Sequence, residues 1–488
     1  MLKLAALLLV ASYAMGASCE SLSSLSIPHS TIVAEAMGAG ASGDTPSFCR
    51  VQVTSRPSSD SDIKIEYWLP VNGWNGNFEA NGNGGWSGAI GTETLAAGMR
   101  RGYAAAMTDT GHEGGSASFA MGHPEKLIDF GYRAVHEMAA TGKLLIKAFY
   151  GRDARHSYWN GCSAGGRQGL MSAQRYPEDF DAIVAGAPAI NFTGRATQAV
   201  WIGQATHKDE ASALPQMKLT AIHAAVLEAC DTRDGVKDGV LEDPTRCKFD
   251  PQTLACKGAD GPACLTSAQV ETVRKIYADV VNPRTQSVIF QGHEPGSENG
   301  WTTMAGPNPF TIATDTFKYA VFENTNWNYK TLNFDSDMAT TEQKAGKIIN
   351  ALDPNLKPFL ARGGKIIQYH GWSDPQISPR SSVEYYKSVT TAIGAAMGGA
   401  SKISDSYRLF MVPGMAHCGG GDGTASFNAL AALEQWVERG KAPDRIEASR
   451  TRNGQTDRTR PLCPYPQVAS YKGSGSTDES ANFVCKAQ

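Results

Sequence analysis

The chain has 488 residues, 41% apolar and 19% charged, and its 45 Lys and Arg against 48 Asp and Glu give a formal net charge of −3. That balance leaves no basic footprint for nucleic acid and no polybasic patch for a membrane surface. Mean hydropathy is −0.30 and the only long apolar run is N-terminal, which excludes a multi-pass membrane protein.

Met1-Leu2-Lys3 and the apolar run from Leu4 to Met15 read as a signal peptide, with Ala14 and Gly16 as the small residues at the −3 and −1 positions of a cleavage site after Gly16. The run is too short to span a bilayer. Strand-like segments follow at 51–53, 63–68, 77–80 and 102–108, with a glycine-rich stretch at 81–88. A helix is expected over 129–150, a short buried strand at 156–159, a helix at 167–175 and a strand at 183–184. Strands alternating with helices predict a mostly parallel sheet covered on both faces, the α/β class.

From Asn191 the texture changes to amphipathic helices at 219–229 and 266–280, the second with Thr266 and Gln269 in capping-box register. Loops and an aromatic cluster (Phe310, Phe317, Tyr319, Phe322, Trp327, Tyr329) complete what reads as an inserted lid. The α/β rhythm returns with strands at 365–369 and 407–412 and a helix at 426–439; beyond Ala448 the chain reads as a disulfide-tied tail. The expected division is a leader at 1–16, a core at 17–190, a lid at 191–357 and the rest of the core at 358–488.

An even set of ten cysteines in an exported chain favours disulfides, and no Cys-x-x-Cys pair supports a zinc ribbon. Sequential pairing would give Cys19–Cys49, Cys230–Cys247, Cys256–Cys264 and Cys463–Cys485, leaving Cys162 and Cys418.

Gly161-Cys162-Ser163-Ala164-Gly165 fits G-x-S-x-G between an expected strand and an expected helix, the context of a nucleophile elbow. A serine needs a base, and the base needs a group that holds its tautomer. Asp374 and His417 both follow later strands, in the chain order Ser, Asp, His of α/β-hydrolases. If Ser163 meets His417, their neighbours Cys162 and Cys418 come within disulfide range and the bridge staples nucleophile to base. Ala164 and the Gly84-Gly85 loop are the expected oxyanion-hole amides. His112 and His136 read as structural histidines.

The segments Gly161-Cys162-Ser163-Ala164-Gly165-Gly166, His370-Gly371-Trp372-Ser373-Asp374 and Pro413-Gly414-Met415-Ala416-His417-Cys418 together resemble the tannase/feruloyl esterase family, which includes mono(2-hydroxyethyl) terephthalate hydrolases. The resemblance implies an exported serine esterase with an α/β-hydrolase core, a large lid, the Cys162–Cys418 bridge and a structural calcium ion in the lid. By the family pattern the side chains of Asp231, Asp234 and Asp238 and the carbonyls of Val236 and Val240 bind that ion. Oxygen-rich, glycine-punctuated loops of this kind suit calcium, and the spacing is not that of an EF-hand.

The expected substrate is a small aromatic ester, free or attached to polysaccharide, held in a slot formed by the lid aromatics and the Trp86 loop; no organic cofactor, nucleic acid or membrane is called for. Hydroxycinnamate esters lead, ahead of gallate esters. Terephthalate monoesters rank lower, because the family links that activity to a lid arginine. The lid offers Arg195, Arg233, Arg246, Arg274 and Arg284, but none lies within 310–332. The rivals are a non-catalytic calcium-dependent binding protein on a hydrolase scaffold and a serine carboxypeptidase.

Overall fold

A computed structural model describes residues 16–487, so the leader, apart from Gly16, lies outside the described residues. A nine-stranded sheet in the order β1-β2-β3-β5-β4-β6-β7-β10-β11 organises the molecule. Its first strands, β1 (Ser30–Met37), β2 (Phe48–Ser55) and β3 (Ile63–Pro70), pair antiparallel, and β3 pairs antiparallel with β5 (Ala104–Thr108). The connections from β1 to β2 and from β2 to β3 are too short for any other direction, since a parallel step needs a crossover of a dozen residues or more. The sheet is mostly parallel, as expected, with an antiparallel N-terminal edge that the sequence reading did not distinguish.

From β5 onward the sheet is parallel through β4 (Phe78–Asn81), β6 (Ser157–Cys162), β7 (Ala182–Gly186), β10 (Lys365–Gly371) and β11 (Tyr407–Val412). Every residue of β5 and β7 is buried, the pattern of strands covered on both faces. The helices Ala134–Tyr150 and Ala164–Arg175 cover one face, and Ala429–Arg439 packs its Leu430, Leu433 and Trp436 on the other.

Between β7 and β10 the chain adds no strand to this sheet. It forms the helices Phe192–Thr206, Gln216–Cys230 and Ser267–Tyr277 and a small hairpin of β8 (Val280–Val281) and β9 (Val288–Phe290), around a separate core that includes Phe192, Trp301 and Phe317. Thr266 and Gln269 do form the capping box, but Val280 leaves the expected helix and enters β8. The C-terminal tail, tied by Cys463–Cys485 as expected, folds as the hairpins β12 (Ile446–Arg452)/β13 (Gln455–Leu462) and β14 (Gln467–Tyr471)/β15 (Phe483–Ala487). No helix among the described residues is long and apolar enough to cross a membrane.

Candidate active site

Strand β6 delivers Ser163 on a sharp turn with φ +63° and ψ −122°, a conformation that costs an L-residue free energy. Its surroundings hold it there. The Ser163 N–H donates to the Gly186 carbonyl at 2.9 Å, and the Ser163 carbonyl accepts from the Arg167 and Ala189 amides at 3.1 Å. The turn also needs bare backbone: a Cβ on Gly161 would lie 2.6 Å from the Gly165 backbone, and one on Gly82 2.5 Å from the Gly165 Cα. The helix begins at Ala164, three residues earlier than its apolar spacing suggests, so its N-terminus sits directly behind the serine.

Strands β10 and β11 place the other two groups at the same edge. His417 Nδ1 donates to Asp374 Oδ2 at 2.7 Å, and the Gln376 and Ile377 amides donate to Asp374 Oδ1 at 2.7 and 3.0 Å. A second histidine joins them: His370 Nε2 lies 3.1 Å from Asp374 Oδ2 and 3.2 Å from the Ile377 carbonyl, while its Nδ1 is 2.7 Å from Ser382 Oγ. Facing two acceptors, Nε2 carries the proton and Nδ1 accepts from the serine. Burial alone would push the Asp374 carboxyl up; His417 and His370, by charge and hydrogen bond, outweigh it and hold the group well below the usual carboxylate range. The sequence showed His370 only as part of a motif, four residues before Asp374.

Ser163 and His417 line one cavity of about 470 Å³ with Cys162, Cys418, Gly84 and Gly85. Among the described residues the Ser163 hydroxyl makes no hydrogen bond. In ligand-free serine hydrolases the contact between nucleophile and base is often long and tightens only in the substrate complex. The Cys162–Cys418 disulfide spans Cα atoms 6.0 Å apart and fixes the two loops to each other. The remaining cysteines pair as Cys19–Cys49, Cys230–Cys247, Cys256–Cys264 and Cys463–Cys485, the sequential arrangement.

Uncommitted backbone amides lie close to Ser163 in the chain and along the cavity. Ala164 N–H is in the first turn of its helix, where no intrahelical acceptor exists. The Gly82 amide is taken by Asn160 and the Asn83 amide by Gln168 Oε1, whereas those of Gly84 and Gly85 have no hydrogen bond among the described residues. Asn83 locks this loop by donating to the Ala89 and Thr108 carbonyls and accepting from Gln168 Nε2. Gly85 adopts φ +52°, and a Cβ there would lie 2.9 Å from Ile312 Cδ1.

Other expected residues sit elsewhere. Trp86 is 1% exposed, packed among Phe119, Phe130 and Phe192 with its Nε1 on the Ile312 carbonyl, so it is lid–core packing and not a wall of the cavity. Phe317, Phe322 and Trp327 stack on one another inside the lid. Phe192 and Ile312 line the cavity instead. His112 is buried, bonded to the Trp86 carbonyl and stacked on Phe119; His136 pairs with Asp179 at 3.0 Å. Arg195 does reach the cavity, stacking on Phe310.

The acidic loop folds on its own backbone. Asp231 accepts from the Asp238 and Gly239 amides, Asp234 from Val236 and Glu242, and Asp238 from Val240. A cavity of about 20 Å³ lies against Asp234, Val236, Asp238, Val240 and Glu242, with Arg458 and Arg460 from the C-terminal hairpin on Asp238. Burial pushes Asp234 up to about 6 and Glu242 up to about 8, and the neighbouring carboxylates of the loop add a smaller upward push. Among the described residues no three of these carboxylates converge within 4.8 Å, so an ion would have to draw them together. The donor set, hard oxygens around a small void, fits a calcium ion in chemistry.

A family model for tannase and feruloyl esterase matches residues 49–486. The chain belongs to that family. The family member is 40% identical to an uncharacterised esterase of Xanthomonas campestris pv. campestris, over 96% of this chain and 91% of that protein. It is 36% identical to the probable feruloyl esterase B-1 of Aspergillus oryzae, over 90% and 84%. The crystal structure of feruloyl esterase B from Aspergillus oryzae superposes with a TM-score of 0.88 at 32% identity, covering 96% of this chain and 99% of that one. The protein is thus a carboxylic-ester hydrolase of the feruloyl esterase/tannase type on an α/β-hydrolase fold.

Proposed function

We propose that this esterase works through an acyl-enzyme on Ser163 and releases phenolic acids, hydroxycinnamates first among them. The observation that carries the reading is the pairing of a strained, cavity-facing serine with an Asp374–His417 hydrogen bond, held together by Cys162–Cys418. His417 takes the Ser163 proton through Nε2, because Nδ1 is committed to Asp374. Asp374, kept ionised by its four hydrogen bonds, fixes that tautomer and stabilises the charged ring. The amides of Ala164 and of Gly85 or Gly84 receive the developing oxyanion. His417 then protonates the leaving alcohol, and a water activated by the same ring frees the acid.

The lid over 191–357 closes the acyl pocket. Asp231, Asp234 and Asp238 with the Val236 and Val240 carbonyls would hold a calcium ion, which supplies charge neutralisation and structural cross-linking, away from bond breaking. Export through the leader at 1–16 is consistent with five disulfides, which form in oxidising compartments. The test is an absorbance assay with methyl ferulate, chlorogenate, methyl gallate and a blocked dipeptide, beside Ser163→Ala. The reading expects methyl ferulate and chlorogenate to be hydrolysed fastest. Turnover of none of the esters would leave a binding protein, and turnover of the dipeptide alone a peptidase.

A further inference from the structure

Arg195 is 4% exposed, yet it lines the catalytic cavity. It sits in the first turn of the helix Phe192–Thr206, whose Asn191 cap fixes the entry of the chain beside the elbow. Its Nε donates to the Gln376 carbonyl at 3.1 Å, and its guanidinium lies over the Phe310 ring, 4.4 Å from the centroid. These two contacts fix the plane of the group. Among the described residues its terminal nitrogens, Nη1 and Nη2, make no hydrogen bond and are not sealed from solvent, and the residue lines the cavity.

No carboxylate forms an ion pair with Arg195 among the described residues. The one acidic group whose charge it feels, Asp374, is already shared between His417 and His370. A guanidinium in such a place is costly to leave unpaired, because burial removes its hydration without supplying a counter-ion. Burial pushes it down to about 10, so it keeps its charge at neutral pH. Other buried arginines in this molecule have partners: Arg167 donates to the Gly131, Ile349 and Phe130 carbonyls, and Arg458 and Arg460 pair with Asp238. Arg195 alone of these presents a free fork of N–H donors to the space where the ester must lie, and that fork matches a carboxylate in two parallel bonds.

We propose that Arg195 is a specificity-determining residue that pairs with a carboxylate carried by the substrate, so that the preferred esters are acidic ones. The inference rests on the serine-esterase reading and narrows it. The carboxylate belongs either to the alcohol half or to the acyl half of the ester, and the same guanidinium chemistry serves both.

The test compares kcat/KM for two pairs that differ only in that charge: chlorogenate with its methyl ester (alcohol half), and monomethyl with dimethyl terephthalate (acyl half), with methyl ferulate as reference. The wild type is expected to favour the acidic member of one pair more than about tenfold, the size of a charge-assisted bidentate contact, and the pair that responds identifies the half. Arg195→Met should lower the acidic ester at least tenfold more than its neutral partner, chiefly through KM, and Arg195→Lys should restore part of the preference. Melting temperatures confirm that the variants fold. An enzyme that hydrolyses methyl ferulate but discriminates in neither pair overturns this inference and leaves the esterase reading intact. So does a proportional loss on both members of each pair in Arg195→Met. Failure to hydrolyse any ester overturns both.

Discussion

Asp374 is the most heavily committed group in the site, with two backbone amides on one oxygen and two histidines on the other. Asp374→Asn would present an amide N–H or carbonyl to His417 and let the wrong tautomer in. It is expected to lower kcat by roughly 10⁴ with little change in KM, as in other serine hydrolases; steady-state kinetics on methyl ferulate check this. His370 acts on His417 only through Asp374, as a positioning residue. Three of the four polar partners around Asp374 were invisible in the chain, because they depend on where β10 and the turn after it point their atoms. Ser163, Asp374 and His417 were legible for a different reason: each closes a strand with its own turn chemistry, and their order is diagnostic. Arg195 was legible only as a lid arginine, since nothing local reveals that a helix beginning at Phe192, well after the nucleophile, returns to it.

At the scale of elements, the junction of β6, the 82–85 loop and the helix Ala164–Arg175 depends on glycine contacts too close for any Cβ. Gly161→Ala would force the helix away from the strand by its 2.6 Å clash and is expected to destabilise the protein by about 1–3 kcal/mol while displacing Ser163, so activity falls further than stability. Urea unfolding set against kcat separates the two effects. Cys418 is exposed and Cys162 half-buried, whereas Cys19–Cys49 and Cys230–Cys247 are buried at both ends; the half-buried Cys256–Cys264 closes only a short peripheral loop. Mild reductant should therefore inactivate the enzyme before it unfolds. Activity that survives proven reduction of this bridge would show that the staple is not needed for alignment. The hairpin β12/β13 escaped a sequence reading because Gln455-Thr456-Asp457-Arg458-Thr459-Arg460 has no apolar alternation; it is ordered by arginines that reach back to Asp238. The central strands were readable because burial on both faces writes continuous apolar runs.

Across the whole molecule, lid and core are tied near the catalytic loop by His223. It lies 2.8 Å from Glu298 within the lid and 3.8 Å from Asp422, five residues beyond His417. Burial draws its ring pKa down, but Glu298 and Asp422 outweigh burial and raise it above the ordinary 6.5. A raised folded-state pKa means the tie contributes fully below about pH 6.5 and fades as pH climbs through the raised value. Tm measured from pH 5 to 9 should show this loss in the wild type, and His223→Gln should flatten it; parallel curves would sink the idea. A chelator should lower Tm if the acidic loop holds calcium, with recovery on adding calcium but not magnesium, which dehydrates reluctantly and demands near-ideal octahedral geometry. The long gap in the main sheet between β7 and β10 coincides with the break in βα rhythm near Asn191 and its return near Pro358, whereas the antiparallel N-terminal edge needed pairing information that no single strand carries.

The most direct measurement is quenched-flow mass spectrometry of the enzyme mixed with a ferulate ester. A feruloyl adduct that forms and decays at the turnover rate on the peptide holding Ser163, and is absent in Ser163→Ala, is what this geometry requires. Steady turnover with no adduct on that peptide, or an adduct on another side chain, would contradict it.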